Sequence, residues 1–545
     1  MMDMSYTYPS RRSPVMGRSG MVATSQPLAV AAGLAILAKG GNAADAAVAT
    51  AAALNVTEPT STGIGGDCFA LLYEAATGEL SALNGSGRTP AALTLERVRK
   101  ELGMTHKPAL PPYHPHTITV PGACAGWCDL VERHGSLPMA EILAPAIRLA
   151  EAGFPVAPIT AHFWQRGAEE QLKNALNGRE MTIGGRGPRA GEIFRNPGLA
   201  RTFKKVAEGG KRVFYEGEIA EAIASIVQQA GGCMTVEDLS AHVSTWEAPV
   251  STTYHGLRLW ECPPNGQGIT ALIALNILEG LDLPADPLSP HRLHLEIEAL
   301  RLAFADTRWY VADPSMVHVP VEELLSKEYA ALRRNLIDPK LANLDRNRGI
   351  PTPCSDTVYL AVVDRSGNAC SFINSNYMGF GTGIVPGGWG FTLHNRGHNF
   401  SVDPAHPNSL APRKRPYHTI IPAMITRDDP PSLVASFGVM GGFMQPQGHL
   451  QVFLALVDGS DPQSALDLPR FCISDGTAGG VVALEQGIPE KAVAELMERG
   501  HVVERLIGWE RALFGRGQMI LRERDTGILI GGSDPRADGC AMTLI

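Results

Sequence analysis

The spacing of apolar positions along the chain changes near residue 356. Between residues 94 and 340 the pattern is mostly helical with Pro and Gly interruptions, and residues 291–306 read as an amphipathic helix. From 357 to 545, short segments with a period of two alternate with turns and glycine, which predicts sheet. Residues 339–355 are polar, charged and rich in Pro, which predicts a linker.

Two Ala-rich helices are predicted near the N-terminus, within residues 25–54. Ser25 can cap the first and Asn42 the second, and so much Ala predicts tight packing against other elements. The Gly-rich turn at residues 60–67 follows these helices and matches neither the P-loop nor the Rossmann spacing. We therefore interpret the turn as close backbone packing rather than a phosphate loop.

A hairpin is predicted directly after the linker. Residues 357–364 form an aliphatic, β-branched strand, residues 365–367 a three-residue turn ending in Gly367, and residues 368–375 the returning strand. If Asp364 faces Asn368 across the turn, the register brings Thr357 opposite Ser375, unless a bulge shifts the pairing. The hairpin thus predicts two hydroxyl groups in contact at its open end.

Facing hydroxyl groups often do no more than satisfy each other, but the position of Thr357 favours a chemical role. Thr357 begins the strand immediately after the linker and is preceded by Asp356. Cleavage between Asp356 and Thr357 would give Thr357 a free α-amino group with a reference pKa near 8. That amine can accept the proton of the neighbouring hydroxyl, which is one known way to activate a nucleophile.

Composition narrows the classes of partner and cofactor. The net charge of −8 and the lack of a basic stripe argue against nucleic acid or an anionic membrane. No signal-peptide pattern and no apolar run of about 18 residues is present, so we expect a cytoplasmic protein. Cys124 and Cys128 lack the second half of a zinc site, and His291 with His294, interpreted as a helix-surface pair, lack a third ligand. We expect no metal.

Motifs spread in order over nearly the whole chain resemble the γ-glutamyltransferase family. Residues 356–364, 367–369 and 381–385 resemble its processing-site region, and residues 40–47 and 65–67 its N-terminal signature. Residues 298–306 resemble its helix signature, while residues 414–416 and 441–442 resemble two small-subunit motifs. The departures described below bring the chain closer to the branch that includes cephalosporin acylases and oxamate amidohydrolase.

The resemblance implies an N-terminal-nucleophile hydrolase with an α+β fold, an αββα four-layer sandwich. It implies a precursor cut between Asp356 and Thr357 into a large subunit (1–356) and a small subunit (357–545) that stay together, with a homodimer of such heterodimers as one arrangement. It further implies that Ser375 orients Thr357 and that Gly441 and Gly442 form the oxyanion hole, although a Gly-Gly pair alone would indicate a plain turn. The substrate would be a small-molecule amide, and no cofactor is implied.

The substrate pocket departs from the family pattern. γ-Glutamyl enzymes of the family hold the glutamate α-carboxylate with an Arg and a pair of serines; here Ser86 stands at the Arg position, Arg88 is displaced by two, and His418-Thr419 replace the serines. The positions that normally hold the α-ammonium group read Tyr377, Arg396 and Asn399. A guanidinium beside an ammonium group is unfavourable, so an acyl group with a carboxylate and no amine fits better.

Three functional hypotheses remain open from the sequence. The first is a γ-glutamyl hydrolase or transferase acting in glutathione metabolism, which the family motifs favour. The second is a glutaryl-type acylase or oxamate-type amidohydrolase, which the pocket departures favour; the loop between Asn399 and Lys414 is also short, so we expect an open site. The third is a non-catalytic binding module on the same fold.

Overall fold

Two seven-stranded antiparallel sheets stack between layers of helices in the computed structural model, which describes residues 12–103, 109–344 and 357–545. Sheet I runs, in spatial order, through Cys540–Thr543, Met21–Thr24, Val358–Val363, Ala369–Ser375, Asp67–Tyr73, Leu80–Gly85 and Thr245–Glu247. Sheet II runs through Val15–Gly17, Leu529–Ser533, Arg516–Arg522, Pro431–Met440, Ala423–Asp428, Leu257–Glu261 and Val250–Tyr254.

Alternation along strand Val358–Val363 explains the layering. Val358, Leu360 and Val362 pack with the Ala-rich helices Pro27–Ala38 and Ala43–Thr57 on the outer face of sheet I. Tyr359 and the other alternate side chains point into a separate core between the two sheets. A third core lies outside sheet II, beneath helices that include Ile269–Leu278, Pro290–Tyr310 and Met444–Val457. The predicted α+β, αββα sandwich is therefore confirmed.

The remaining helices cover the edges and outer surfaces of the sandwich. They are Leu95–Leu102, Ala123–His134, Met139–Ala152, Pro158–Gly167, Pro197–Gly209, Arg212–Tyr215, Glu218–Gln229, Val236–Ser240, Val321–Leu325, Lys327–Arg334, Pro462–Asp467 and Glu490–Glu498. A small sheet of Phe471–Ile473, Val482–Glu485 and Val503–Leu506 completes the C-terminal part. No helix in the described ranges is both long and apolar enough to cross a bilayer.

The hairpin register agrees with the sequence prediction. The N–H of Asp364 donates to Asn368 O at 2.9 Å, and Gly367 adopts a left-handed φ of 86° that the turn requires. Val358 pairs with Asn374, the step next to Thr357 opposite Ser375. A local turn therefore fixes the position of two hydroxyl groups that lie far from it along the strands.

Two local predictions were wrong. Ser25 does not cap the first helix, because its hydroxyl donates to Glu58 Oε2 at 2.5 Å and Gln26 is the N-cap residue. The region 94–340 is mostly helical, as predicted, and three of its short strands extend the sheets. The helix Pro290–Tyr310 is buried nearly all round rather than amphipathic, so His294 is no surface residue and lies 2.8 Å from His501 Nε2.

Both sheets draw strands from the two sides of residue 356. In sheet I, Met21–Thr24 and Asp67–Tyr73 flank the hairpin on its two edges. The segments 12–344 and 357–545 therefore share one body and cannot separate without breaking sheet hydrogen bonds. Division into subunits at Asp356 remains a prediction, because Asp356 lies outside the described residues.

Candidate active site

The hydroxyl groups of Thr357 and Ser375 are in contact at the open end of the hairpin. Their Oγ atoms are 3.1 Å apart, and both residues are fully buried. Ser375 Oγ also accepts from the N–H of Tyr377 at 2.8 Å and from Nη2 of Arg396 at 3.1 Å. These two donors hold Ser375 Oγ beside Thr357 Oγ1, and either hydroxyl group can be the donor in the contact between them.

The backbone at Tyr377 is held in an unusual conformation. Its φ is 77°, a left-handed value that costs an aromatic residue of the order of 1–2 kcal/mol. The turn aims the Tyr377 N–H at Ser375, and the phenol donates to Asn399 Oδ1 at 2.6 Å. Strain of this kind at a cluster of polar groups is typical of a functional site.

Arg396 supplies a buried cation behind the hydroxyl pair. Besides Ser375, its guanidinium donates to Thr419 Oγ1 at 2.6 Å and lies 4.4 Å from the centre of the Tyr377 ring. Burial lowers the pKa of Arg396 to about 10, against the opposing effect of Asp67. The group therefore stays charged at neutral pH and can bind an anion.

Asp67 is the counter-charge of this cation. Its Oδ2 atom lies 3.0 Å from His418 Nε2, 3.6 Å from His394 Nδ1 and 3.9 Å from Arg396 Nε. Burial alone would raise the pKa of Asp67, but His394, His418 and Arg396 outweigh burial and hold the pKa well below its usual range. Asp67 is thus an ionised carboxylate in the interior.

His418 is a neutral link between the carboxylate and the backbone. Its Nδ1 accepts from the N–H of Ile420 at 3.3 Å, so Nε2 carries the proton and donates to Asp67. Burial and the nearby Arg396 lower the pKa of His418 to about 3. His418 therefore positions Asp67 without taking part in proton transfer near neutral pH.

Gly441 and Gly442 form a turn after strand Pro431–Met440, with φ of 129° and 59°. Side chains other than glycine rarely adopt such φ values. Gln267 Nε2 donates to the carbonyl oxygens of both Gly442 and Thr419, each at 2.8 Å. Gln267 thereby ties the Gly-Gly turn to the residue that holds Arg396.

The predicted substrate residues fall into two groups. Tyr377, Arg396, Asn399, His418 and Thr419 are connected to the hydroxyl pair by the contacts above, while two residues near strand Leu80–Gly85 are not. Ser86 Oγ accepts from Asn265 Nδ2 at 3.1 Å, and Arg88 donates to Asp313 Oδ2 at 2.7 Å. Ser86 is nevertheless linked to the network, because the carbonyl oxygen of Asn265 accepts from the N–H of His418 at 2.9 Å.

Three residues that sequence reasoning did not assign belong to this network: Asp67, Gln267 and His394. Asp67 could have been found, because it ends a family signature and precedes a buried strand. Gln267 and His394 carried no local signal. Within the ranges 12–103, 109–344 and 357–545, no cluster of three or more His, Cys, Asp or Glu side chains is arranged to hold a metal ion.

A cleft adjoins the Gly-Gly turn. It encloses about 1050 Å³ of empty space, partly open to solvent, and is lined by Gly441, Met378 and Trp509 among others. Neither Arg396 nor Thr419 lines this cleft. Ser375, Arg396 and Thr419 are thus buried, whereas the cleft is partly open to solvent.

Comparisons with known proteins agree with this architecture. The gamma-glutamyltranspeptidase family model matches residues 29–544. A glutathione hydrolase-like proenzyme, YwrD, of Bacillus subtilis is 37% identical over 97% of this chain and 99% of its own length. The oxamate amidohydrolase proenzyme of Klebsiella pneumoniae is 35% identical over 96% and 98%. The crystal structure of a cephalosporin acylase from Bacillus halodurans, 47% identical, superposes with a TM-score of 0.91 over 100% of this chain and 99% of that one.

Proposed function

The chain belongs to the gamma-glutamyltranspeptidase family of N-terminal-nucleophile hydrolases, and on that premise we propose that it cuts itself before Thr357 and then hydrolyses amides through a Thr357 ester. One observation carries the proposal: the buried contact of 3.1 Å between Thr357 Oγ1 and Ser375 Oγ. Two relatives, from Bacillus subtilis and Klebsiella pneumoniae, are named as proenzymes, which supports the self-cleavage.

Maturation begins from the intact chain. Thr357 Oγ attacks the carbonyl carbon of Asp356, the C–N bond breaks, and the nitrogen takes the hydroxyl proton to become an α-amine. Water then hydrolyses the ester, leaving a carboxylate on Asp356 and restoring the hydroxyl of Thr357. Asp356 and Thr357 are thus the two residues of the cleavage site.

Turnover repeats the same chemistry on a substrate amide. The freed α-amine of Thr357 accepts the hydroxyl proton, Oγ attacks the amide carbon, and the proton passes to the departing amine. Gly441 and Gly442 supply N–H donors to the developing oxyanion, each worth roughly 3 kcal/mol. Water hydrolyses the acyl ester, or an amine takes the acyl group. Large (1–356) and small (357–545) subunits stay together as the working unit.

The acyl group carries a carboxylate and no amine. Arg396 is a buried cation whose guanidinium contacts Ser375 and Thr419, beside the position of the reacting carbonyl. An acyl carboxylate would accept charge-assisted hydrogen bonds there, whereas an α-ammonium group would meet a like charge. Glutaryl and oxamyl groups have the required chemistry, and Asn399 with Tyr377 offers further polar contacts.

A γ-glutamyl donor is the second candidate. Asp67 lies 3.9 Å from Arg396 Nε and compensates its charge, which reduces the repulsion that an ammonium group would experience. The Bacillus subtilis relative is also named as glutathione hydrolase-like. Both candidates share the Thr357 ester and differ only in the acyl half of the substrate.

A denaturing gel of the purified full chain tests maturation. We expect two fragments, the smaller beginning with Thr357 by N-terminal sequencing, and a single full-length band for Thr357→Ala. Thr526→Ala, in an exposed turn, is the matched control and should be cut normally. A single wild-type band without covalent labelling of Thr357 would favour a non-catalytic binding module instead.

A substrate comparison tests the acyl group. Purified enzyme is incubated with a glutaryl anilide and a γ-glutamyl anilide that release the same amine. We expect the glutaryl compound to be hydrolysed at least about tenfold faster, which corresponds to about 1.4 kcal/mol of like-charge repulsion. Faster γ-glutamyl turnover would favour the second candidate.

A further inference from the structure

The cleft beside Gly441 is built against a rigid aromatic wall. The Trp509 indole stacks on the ring of His162 at 3.8 Å with an interplanar angle of 6° and meets the Phe163 ring edge-on at 6.3 Å. Phe163 is in turn covered by Arg516, whose Cζ lies 4.8 Å from the ring centre and which pairs with Glu58 at 2.9 Å. The wall is therefore held in place from behind.

The position of this cleft indicates that it receives the amine half of the substrate. Its lining includes Gly441, where the carbonyl oxygen of a bound amide would receive its N–H donor, and Met378, three residues after Ser375. Arg396, which faces the acyl group in the proposed function, does not line it. An amide with its acyl half toward Arg396 projects its amine half away from that residue, into the cleft.

Charge at the mouth adds a second constraint. Among the described residues that line the cleft, the charged ones are Arg166, Glu170 and Glu510. Arg166 and Glu170 form an exposed ion pair at 3.0 Å, which leaves the carboxylate of Glu510 beside the indole of Trp509 in excess. A negative group on the outer part of the amine would be repelled, although water and salt weaken the effect.

We propose that this cleft is the leaving-group subsite and that it takes aromatic amines without negative charge. The proposal rests on the proposed amidase function. An aryl ring entering the cleft would contact Phe163 and Trp509, whose partly exposed rings offer face and edge contacts to a planar ring. Specificity for the amine would then come from shape and stacking, separately from the acyl group.

Two pairs of amides with one common acyl group test the proposal, because they share the same acyl-enzyme. The first pair releases phenethylamine or hexylamine, two primary alkylamines, and we expect a kcat/KM about fivefold higher for the phenethyl amide. The second pair carries a para-carbamoyl or a para-carboxylate group on the phenethyl ring. We expect the carboxylate compound to be hydrolysed about threefold more slowly at low salt, with the difference shrinking at 1 M salt.

A substitution at Trp509 tests whether the aromatic wall causes the preference for the phenethyl amide. Trp509→Leu keeps an apolar side chain but removes the indole, so the fivefold preference for the phenethyl amide should fall to about twofold or less. Trp260→Leu, at a tryptophan on sheet II that does not line the cleft, is the matched control and should keep the preference. A thermal melt of each variant checks that folding is unchanged.

The outcomes separate the two proposals. If all four amides are hydrolysed at equal kcat/KM, or if Trp509→Leu keeps the full preference, the subsite assignment is wrong while the amidase function stands. If none of the amides is hydrolysed although the chain is folded and processed, the next substrate is an ester that has the same acyl group and releases an alcohol instead of an amine. Failure with that ester too contradicts the proposed function and, with it, the subsite.

Discussion

The two sides of Thr357 are built on opposite principles. On the proposed acyl side, the buried Arg396 donates to the buried Ser375 and Thr419 and lies 3.9 Å from the buried carboxylate of Asp67. On the amine side, the cleft is half open, walled by aromatic rings and edged by exposed charges. One side is a fixed array of charges and donors, and the other is a surface with few directional contacts.

This difference determines how strongly each side can discriminate between substrates. A buried charge pair acts with little screening, and losing one partner strands the other, so each acyl-side group carries several kcal/mol. Stacking on an open wall contributes only about 0.5–1.5 kcal/mol per ring pair. We therefore expect strict recognition of the acyl group and tolerance toward the amine. The predictions below test this contrast.

The largest effect should come from the residue that serves both sides. Thr357→Ala removes the nucleophile, so self-cleavage should stop and amide hydrolysis should fall by about 10⁴-fold or more. Thr357→Ser keeps a hydroxyl and should keep measurable cleavage and turnover. N-terminal sequencing and single-turnover assays check both variants. Full processing of Thr357→Ala would show that another group cuts the chain.

Removing the acyl-side cation should rank next. Arg396→Gln leaves Asp67 buried without its counter-charge, so we expect a loss of about 3 kcal/mol of stability and about 100-fold in kcat/KM for a carboxylate-bearing anilide. An uncharged butyryl anilide should lose much less. The exposed Arg97, paired with Glu101 at 2.8 Å, gives the control Arg97→Gln. Equal losses on both anilides would mean that Arg396 has only a structural role.

Asp67→Asn probes the same network from its anionic end. It removes the charge that faces Arg396 and keeps the shape of the side chain, so we expect about tenfold lower kcat/KM and a lower melting temperature. A glutaryl substrate should partly restore stability, because its carboxylate supplies the missing negative charge. The surface variant Asp428→Asn, which loses only the exposed pair with Arg258, should behave like wild type. If Asp67→Asn leaves kcat/KM unchanged, Asp67 does not contribute to turnover.

The smallest effect is expected for His418→Gln, and the pH dependence of kcat/KM is the measurement that shows it. The α-amine of Thr357 must be neutral to accept a proton, so kcat/KM should rise with pH through one ionisation near or below its reference pKa of about 8. The pKa of His418 is lowered to about 3, so His418 is neutral at both ends of a scan from pH 5 to 9. His418→Gln should therefore lower the rate modestly without moving the midpoint. A displaced midpoint would assign proton transfer to His418.

Local sequence predicted the hairpin well and the substrate pocket only in part. The turn at Gly367 sets the register of the hairpin. Each further residue on one strand then pairs with the next residue on the other, so the register brings Thr357 to Ser375. The helix at residues 291–306 was predicted in the right place, but its surface assignment of His294 was wrong, because tertiary packing buries His294 against His501. Arg88 lies close to the position of the family's substrate-binding Arg in the sequence, but in the structure it pairs with Asp313, more than 200 residues away.

The sequence by itself determined the hairpin that brings Thr357 to Ser375, through its strand pattern and turn chemistry. Its contiguous motifs also indicated the family and, through that resemblance, the sandwich fold. Only the tertiary structure decided that Asp67 faces Arg396 and that Gln267 ties Thr419 to Gly442. It also decided that Trp509 walls the cleft beside Gly441. These contacts join segments far apart in sequence, and a polar side chain gives no local signal of the partner that will satisfy it once both are buried.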